Sequence, residues 1–244
     1  MIILLAVVVV IPHFLNDGYI IYLNRAFANW YRVDGRWISD LTIGKWVMWV
    51  LDFLVYLSLP VCALYYYIRR GWFSWRAFDF HTDHLGRNVL SGLVLFAVVW
   101  FLALYKAVNW DPTLRELFPF WGYYAFFYKR GDGVILWLLM SIYLGLAAGF
   151  LEEFLYRSFL IRTLERIGLS SIKAAGIAVL VFTAIHFGKG AHILLLAFAV
   201  GVVFTMIYLR KRNILPLVVA HSALDIFWIS GYEERFAGWL LKLV

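Results

Sequence analysis

Long apolar runs separated by short polar connectors set the pattern of this chain. A helix that crosses a bilayer takes about 20 mostly apolar residues, with about 17–25 the usual range. On that measure the runs at 3–23, 46–68, 88–108, 133–160, 174–188, 191–209 and 214–230 each predict a helix in a membrane. The fifth run is short and meets the sixth through Gly188-Lys189-Gly190, a tight turn that predicts an antiparallel helix pair. Residues 117–128 are aromatic and broken by Pro119 and Gly122, which predicts an interfacial segment, as does the tail 233–244 with Trp239 and Lys242. The connectors 24–45, 69–87 and 109–132 are too short to fold alone, and no internal repeat is visible. The pattern predicts an all-α, polytopic transmembrane helix bundle of about seven to eight spans, built as a single integral-membrane domain over 1–244.

Composition strengthens this picture. Of 244 residues, 64% are hydrophobic and 15% charged, and the mean hydropathy is +0.80. A soluble domain carries roughly 25% charged residues. The net charge of +7 does not indicate nucleic acid, because the basic residues cluster between apolar runs in the manner of membrane proteins. The clusters Arg69-Arg70, Arg162/Arg166/Lys173 and Arg210-Lys211-Arg212 fall on one common side, which is read as the cytoplasmic one. Met1 to Leu23 lacks a basic start and a small-residue cleavage site, so it is expected to be a retained first span. Cys62 is the single cysteine. It therefore offers no internal disulfide and no cysteine metal cage, and in an apolar run it reads as a small hydrophobe.

The candidate chemistry lies in Glu152-Glu153-Phe154-Leu155-Tyr156-Arg157, at the end of the fourth run. Charge at that depth costs a few kcal/mol per group on insertion scales. Residues four apart share a helix face, so Glu153 and Arg157 are expected to pair, with Glu in the better N-terminal position. Glu152 is turned about 100° from Glu153 by the helix period and points elsewhere. It is the carboxylate expected to do chemistry while Arg157 holds Glu153. Gly145 and Gly149 lie on the Glu152 side at a spacing that lets another helix approach closely. The fifth run ends Phe182-Thr183-Ala184-Ile185-His186, and the seventh holds His221-Ser222-Ala223-Leu224-Asp225. His221 and Asp225 share a face, and an Asp there can orient a working histidine. Measured from the loops at 161–173 and 210–213, Glu152 is roughly 14 Å deep, His221 roughly 12–14 Å and His186 roughly 20 Å on the helical rise. Three helices thus deliver polar groups to a similar layer.

These three motifs, EEFLYR, FTAIH and HSALD, resemble in order and spacing the CPBP family, which includes the CAAX prenyl endopeptidases and the bacterial Abi proteins. The resemblance covers roughly the last 100 residues, with 133–230 as the motif-bearing helices; the first 130 show no usable motif. It implies a glutamate-type intramembrane endopeptidase. By analogy, Glu152 would be the general base that activates water, His186 would help hold that water, and His221 with Asp225 would serve the oxyanion. Glu153 and Arg157 would brace the site. The implied partners are a membrane-associated protein or peptide as substrate, and the lipid bilayer. The implied location is multi-pass, in a bacterial or archaeal cytoplasmic membrane.

Position 225 departs from the family pattern, HxxxN or a close variant. An ionised Asp cannot donate a hydrogen bond to an oxyanion, so Asp225 is protonated, orients His221 or ligates a metal. Glu152, His186, His221 and Asp225 would form a reasonable oxygen and nitrogen set for zinc. No HExxH motif is present, however, and metal-free catalysis is ranked first. Two other functions compete. One is a non-catalytic immunity or scaffold protein of the same fold; the other is an ion-coupled transporter, against which no repeated halves are seen.

A Glu–Arg pair can simply lock helices, and a lone buried histidine is more often a packing residue. His192 is read as interfacial. His13, Asn16, Asp17 and Asp52 interrupt the first two spans and carry no assigned chemistry. His81, Asp83 and His84 read as a solvated loop.

Overall fold

A computed structural model describes residues 50, 52–71, 74, 78–109, 134–186 and 191–230. The expected first span, the interfacial segment 117–128, the Gly188–Gly190 turn, the C-terminal tail and the side chains of Asp52 and His192 lie outside the described residues. Among the described residues all regular structure is helical and no strand occurs. A π-helical segment, Asp52–Ser58, leads into α1 (Leu59–Arg69), whose start is set by Pro60 in its first turn. Helix α2 is Leu85–Asn109 and α3 is Val134–Glu152. A second π-helical segment, Glu153–Leu160, continues α3 directly into α4 (Ile161–Arg166). Gly168, at φ +97°, supplies the left-handed residue that commonly ends a helix. Then follow α5 (Ser171–Ala184), α6 (Ala191–Lys211) and α7 (Leu215–Ile229), the last with Pro216 in its first turn.

By length and composition, two helices can cross a membrane, Trp137–Arg166 and Ile193–Lys211; Leu85–Phe101, Ser171–Ala184 and Leu215–Ile229 are apolar but shorter. The expected seven to eight spans are therefore not reached among the described residues. One reason is visible at the fifth run, where the helix ends at Ala184 and the chain turns at Ile185 and His186. The helix there is of similar length to the apolar run but sits three to four residues nearer the N-terminus. Leu90 and Phe101 on α2, Ile135 and Leu146 on α3, Leu180 on α5 and Met206 on α6 are all exposed. So wide a spread of exposed large apolar side chains suits lipid rather than water.

Helix α7 packs chiefly against α3 and α2, and α5 against α6. Close approach of α7 rests on glycine. A Cβ added at Gly149 would collide with Ser222, and one at Gly145 with Ile226, as their spacing predicts. Gly92 on α2 plays the same part: a Cβ there would lie 2.6 Å from the Val219 Cβ and 2.7 Å from the Pro216 carbonyl oxygen. The helix that carries His221 is thus gripped from two sides by residues with no side chain.

One end of the bundle is tied by charge. Arg162 binds Asp79 through two bonds of 2.8 Å, and Tyr208 donates to the same carboxylate at 2.6 Å. Arg212 forks onto Glu165 at 2.6 and 3.0 Å, and Ser171 also donates to Glu165. The paired bonds are the strong, geometry-specific form of an Arg–carboxylate contact. They join the loop at 79, the end of α4 and the end of α6, so the basic clusters around 162 and 212 do share one end of the bundle. Ser158 donates to the Phe78 carbonyl oxygen at 2.6 Å, and the Phe78 ring packs on Phe154 and Phe159. Burial acts to raise the Asp79 carboxyl, but the bonds from Arg162 and Tyr208 outweigh it and hold the group below its ordinary value. His81, Asp83 and His84 lie exposed in this loop, in keeping with the solvated reading.

Candidate active site

Every residue from Glu153 to Leu160 is buried, and this stretch is the π-helical one. Such wide turns inside α-helices recur at functional sites. The largest fully buried side chain among the described residues is that of Arg157. Its Nη1 donates to Glu153 Oε1 at 3.0 Å, with the two side chains 1% and 0% exposed. The pair forms as the i, i+4 spacing predicts. The guanidinium carbon also lies 4.1 Å from the centroid of the Phe182 ring and 5.8 Å from that of Phe204. Cation–π contacts of this kind are worth about 2 kcal/mol or more when desolvated. Two aromatic faces and one carboxylate therefore hold a charge that a membrane interior otherwise opposes.

His221 reaches this cluster from α7. Its Nδ1–H donates to Glu153 Oε1 at 2.7 Å, and its Nε2 lies 3.7 Å from Glu152 Oε2 and 3.7 Å from Asp225 Oδ2. The ring is flanked edge-to-face by Phe182 and Phe204, with centroids 6.1 Å away in each case. The same two phenylalanines thus pack on both Arg157 and His221. The residue that hydrogen-bonds the histidine is Glu153, from another helix. Asp225, the expected orienter, faces the other nitrogen at a longer distance. Glu152 and Glu153 also do not part company as the 100° rotation suggests, because α7 sets one imidazole against both carboxylates.

Glu152 is buried, and its Oε1 accepts a bond from Tyr56 at 2.6 Å. Asp225 is the most open of the charged members, with its side chain 23% exposed. His186 stands in the turn beyond α5, where its Nδ1–H donates to the Phe182 carbonyl oxygen at 2.9 Å. The lone pair of the neutral ring then resides on Nε2. His186 meets the rest of the group through the Phe182 ring, 5.0 Å between centroids. Among the described residues, no group of three or more His, Cys, Asp or Glu side chains is arranged to hold a metal ion.

Residues 134–227, which hold all three motifs, match the family model described as type II CAAX prenyl endopeptidase, Rce1-like. This match, over the motif-bearing part of the chain, supports a CPBP/CAAX protease family assignment. Comparison with curated proteins and with solved structures gives no significant match. For a CAAX-type protease the general activity is intramembrane proteolysis, and the substrate class is a peptide or protein. The apolar helices are consistent with a membrane location.

Two of the three further members of the site were not legible as motifs. Tyr56 comes from the region without a usable motif. Phe204 looks like any apolar residue of α6. Phe182 does carry a signal, as the first residue of FTAIH, and its packing on Arg157, His186 and His221 gives that position a physical reason.

Proposed function

We propose that this CAAX-type protease is a glutamate-type, metal-independent endopeptidase, multi-pass in its membrane, that hydrolyses a peptide bond of a membrane-associated protein or peptide. Glu152 is the general base: Oε2 takes a proton from water as the water oxygen attacks the scissile carbonyl. His186 assists in holding that water. His221 and Asp225 serve the oxyanion, and the proton held by Glu152 passes to the leaving amine. Glu153 and Arg157 brace the histidine.

The observation that carries this reading is the division of labour around one imidazole. Glu153 is engaged by Arg157 and by His221 Nδ1, while Nε2 faces Glu152 and Asp225. With Nδ1–H given to Glu153, donation from Nε2 to an oxyanion needs the doubly protonated ring; Glu152 and Glu153 supply its counter-charge, while Asp225 serves the oxyanion in its protonated form. Donors aimed at developing charge in a dry site are typically the largest catalytic term.

The test is hydrolysis of a membrane-anchored peptide by the purified protein in proteoliposomes. Glu152→Gln is expected to abolish turnover, and treatment with a strong chelator to leave it unchanged. Full turnover by Glu152→Gln rejects the base assignment. Loss of activity on chelation, restored by zinc, rejects the metal-free one.

A further inference from the structure

The base of the proposed mechanism does not stand on the motif-bearing helices alone. Tyr56 belongs to the π-helical segment Asp52–Ser58, 96 positions before Glu152, and is 8% exposed. Its hydroxyl donates to Glu152 Oε1 at 2.6 Å, a length typical of O–H donation to a charged oxygen. A phenol with an ordinary pKa of about 10 keeps its proton at neutral pH, so it acts here as a donor and does not compete as a base.

We propose that Tyr56 is a positioning residue for Glu152: its O–H fixes Oε1 and thereby turns Oε2 toward His221 Nε2 as the oxygen that takes the proton from water. The geometry supports this directly. Oε1 is the oxygen on Tyr56, and Oε2 is the oxygen 3.7 Å from Nε2. A glutamate side chain turns about three torsions. A bond from a rigid ring on another segment removes that freedom at little entropic cost, since a Tyr turns about only two. The groups that face Glu152 across the site are His221, with Glu153 and Asp225 at that ring's two nitrogens. None of these comes from the first half of the chain. Tyr56 is therefore, among the described residues, a contact through which that half enters the chemistry.

This inference rests on Glu152 being the base, and the experiment separates the two. Tyr56→Phe removes one hydroxyl and keeps the ring. It is expected to lower kcat about 10- to 100-fold, the size of a small misplacement of a reacting group. KM stays within about twofold, because substrate binding does not involve the hydroxyl. The variant remains monodisperse in detergent with an unfolding midpoint close to the parent's. An unchanged kcat, a raised KM at constant kcat, or loss of the folded protein each overturns the positioning role. Glu152→Gln run in parallel reports on the base: parental turnover there overturns the general-base reading itself, whereas an inactive Glu152→Gln beside a fully active Tyr56→Phe overturns only the role of Tyr56.

Discussion

His221 gives its Nδ1–H to Glu153, a residue on a different helix, at 2.7 Å. The nitrogen on this side is thus held from another helix, while the helical neighbour Asp225 faces Nε2. That bond leaves Nε2 as the nitrogen turned to Glu152 and Asp225. Nitrogen-15 spectra of the protein with labelled histidine are expected to show a protonated Nδ1 at His221. An Nδ1 without a proton contradicts the bond.

Arg157 neutralises Glu153 where neither meets water. Replacing it with Met keeps much of the volume but leaves a buried carboxylate short of its cation. Breaking a buried pair in this way costs about 3–5 kcal/mol. Denaturant unfolding in detergent measures it, and a loss below about 1 kcal/mol, the scale of an exposed pair, contradicts the arrangement.

Asp225 stands at the open side of the cluster, opposite Nε2. If its task is to serve the oxyanion, an amide does it at least as well, since Asn donates where an ionised Asp cannot. Asp225→Asn is expected to retain activity, and Asp225→Ala to lose about 10²-fold in kcat, the value of one oxyanion donor. An Asn variant as impaired as the Ala variant points to a task that needs the carboxylate.

The seat of α7 on α3 predicts a contrast between glycines. A Cβ at Gly149 collides with Ser222, while one at Gly176 meets nothing within 4 Å. Gly149→Ala is expected to cost about 1–3 kcal/mol through overpacking. Gly176→Ala is expected to fall within about 0.5 kcal/mol of the parent. Unfolding midpoints of the two variants decide; equal values contradict the close contact.

The Asp79 lock carries a pH signature. Its carboxyl is held below its ordinary value in the folded protein. Stability from this group is therefore complete above the unfolded-state value of about 3.9 and is lost as pH falls through the lower folded value. Asp79→Asn is expected to be less stable than the parent at neutral pH by about 1–3 kcal/mol, the penalty for removing one partner of a buried bond. Its unfolding midpoint varies less between pH 5 and pH 3. Parallel midpoint curves for the two proteins contradict the lock.

Much of the site was readable because helix geometry is local. The i, i+4 spacing gives the Glu153–Arg157 pair, and the small-residue spacing gives the approach of α7 to Gly145 and Gly149. What the sequence hides is set by tertiary docking. Spacing places Asp225 beside His221, but the direction in which α7 faces α3 decides that Glu153 takes the hydrogen bond. Nothing local marks Tyr56, Phe204 or Gly92, whose parts depend on neighbours far along the chain. The end lock was visible only as basic clusters, because Asp79 and Glu165 become partners of Arg162 and Arg212 only once the helices have packed. At the fifth run the helix lies three to four residues N-terminal of the expected 174–188, since apolar composition does not register the turn at His186.

The glycine seat of α7 also governs the order in which the protein becomes an enzyme. Glu153 leaves the ribosome 68 residues ahead of His221. Until α7 is made and slots against Gly92, Gly145 and Gly149, the carboxylates have no imidazole between them. Helix α7 is therefore the last of the motif-bearing helices needed to complete the proposed site.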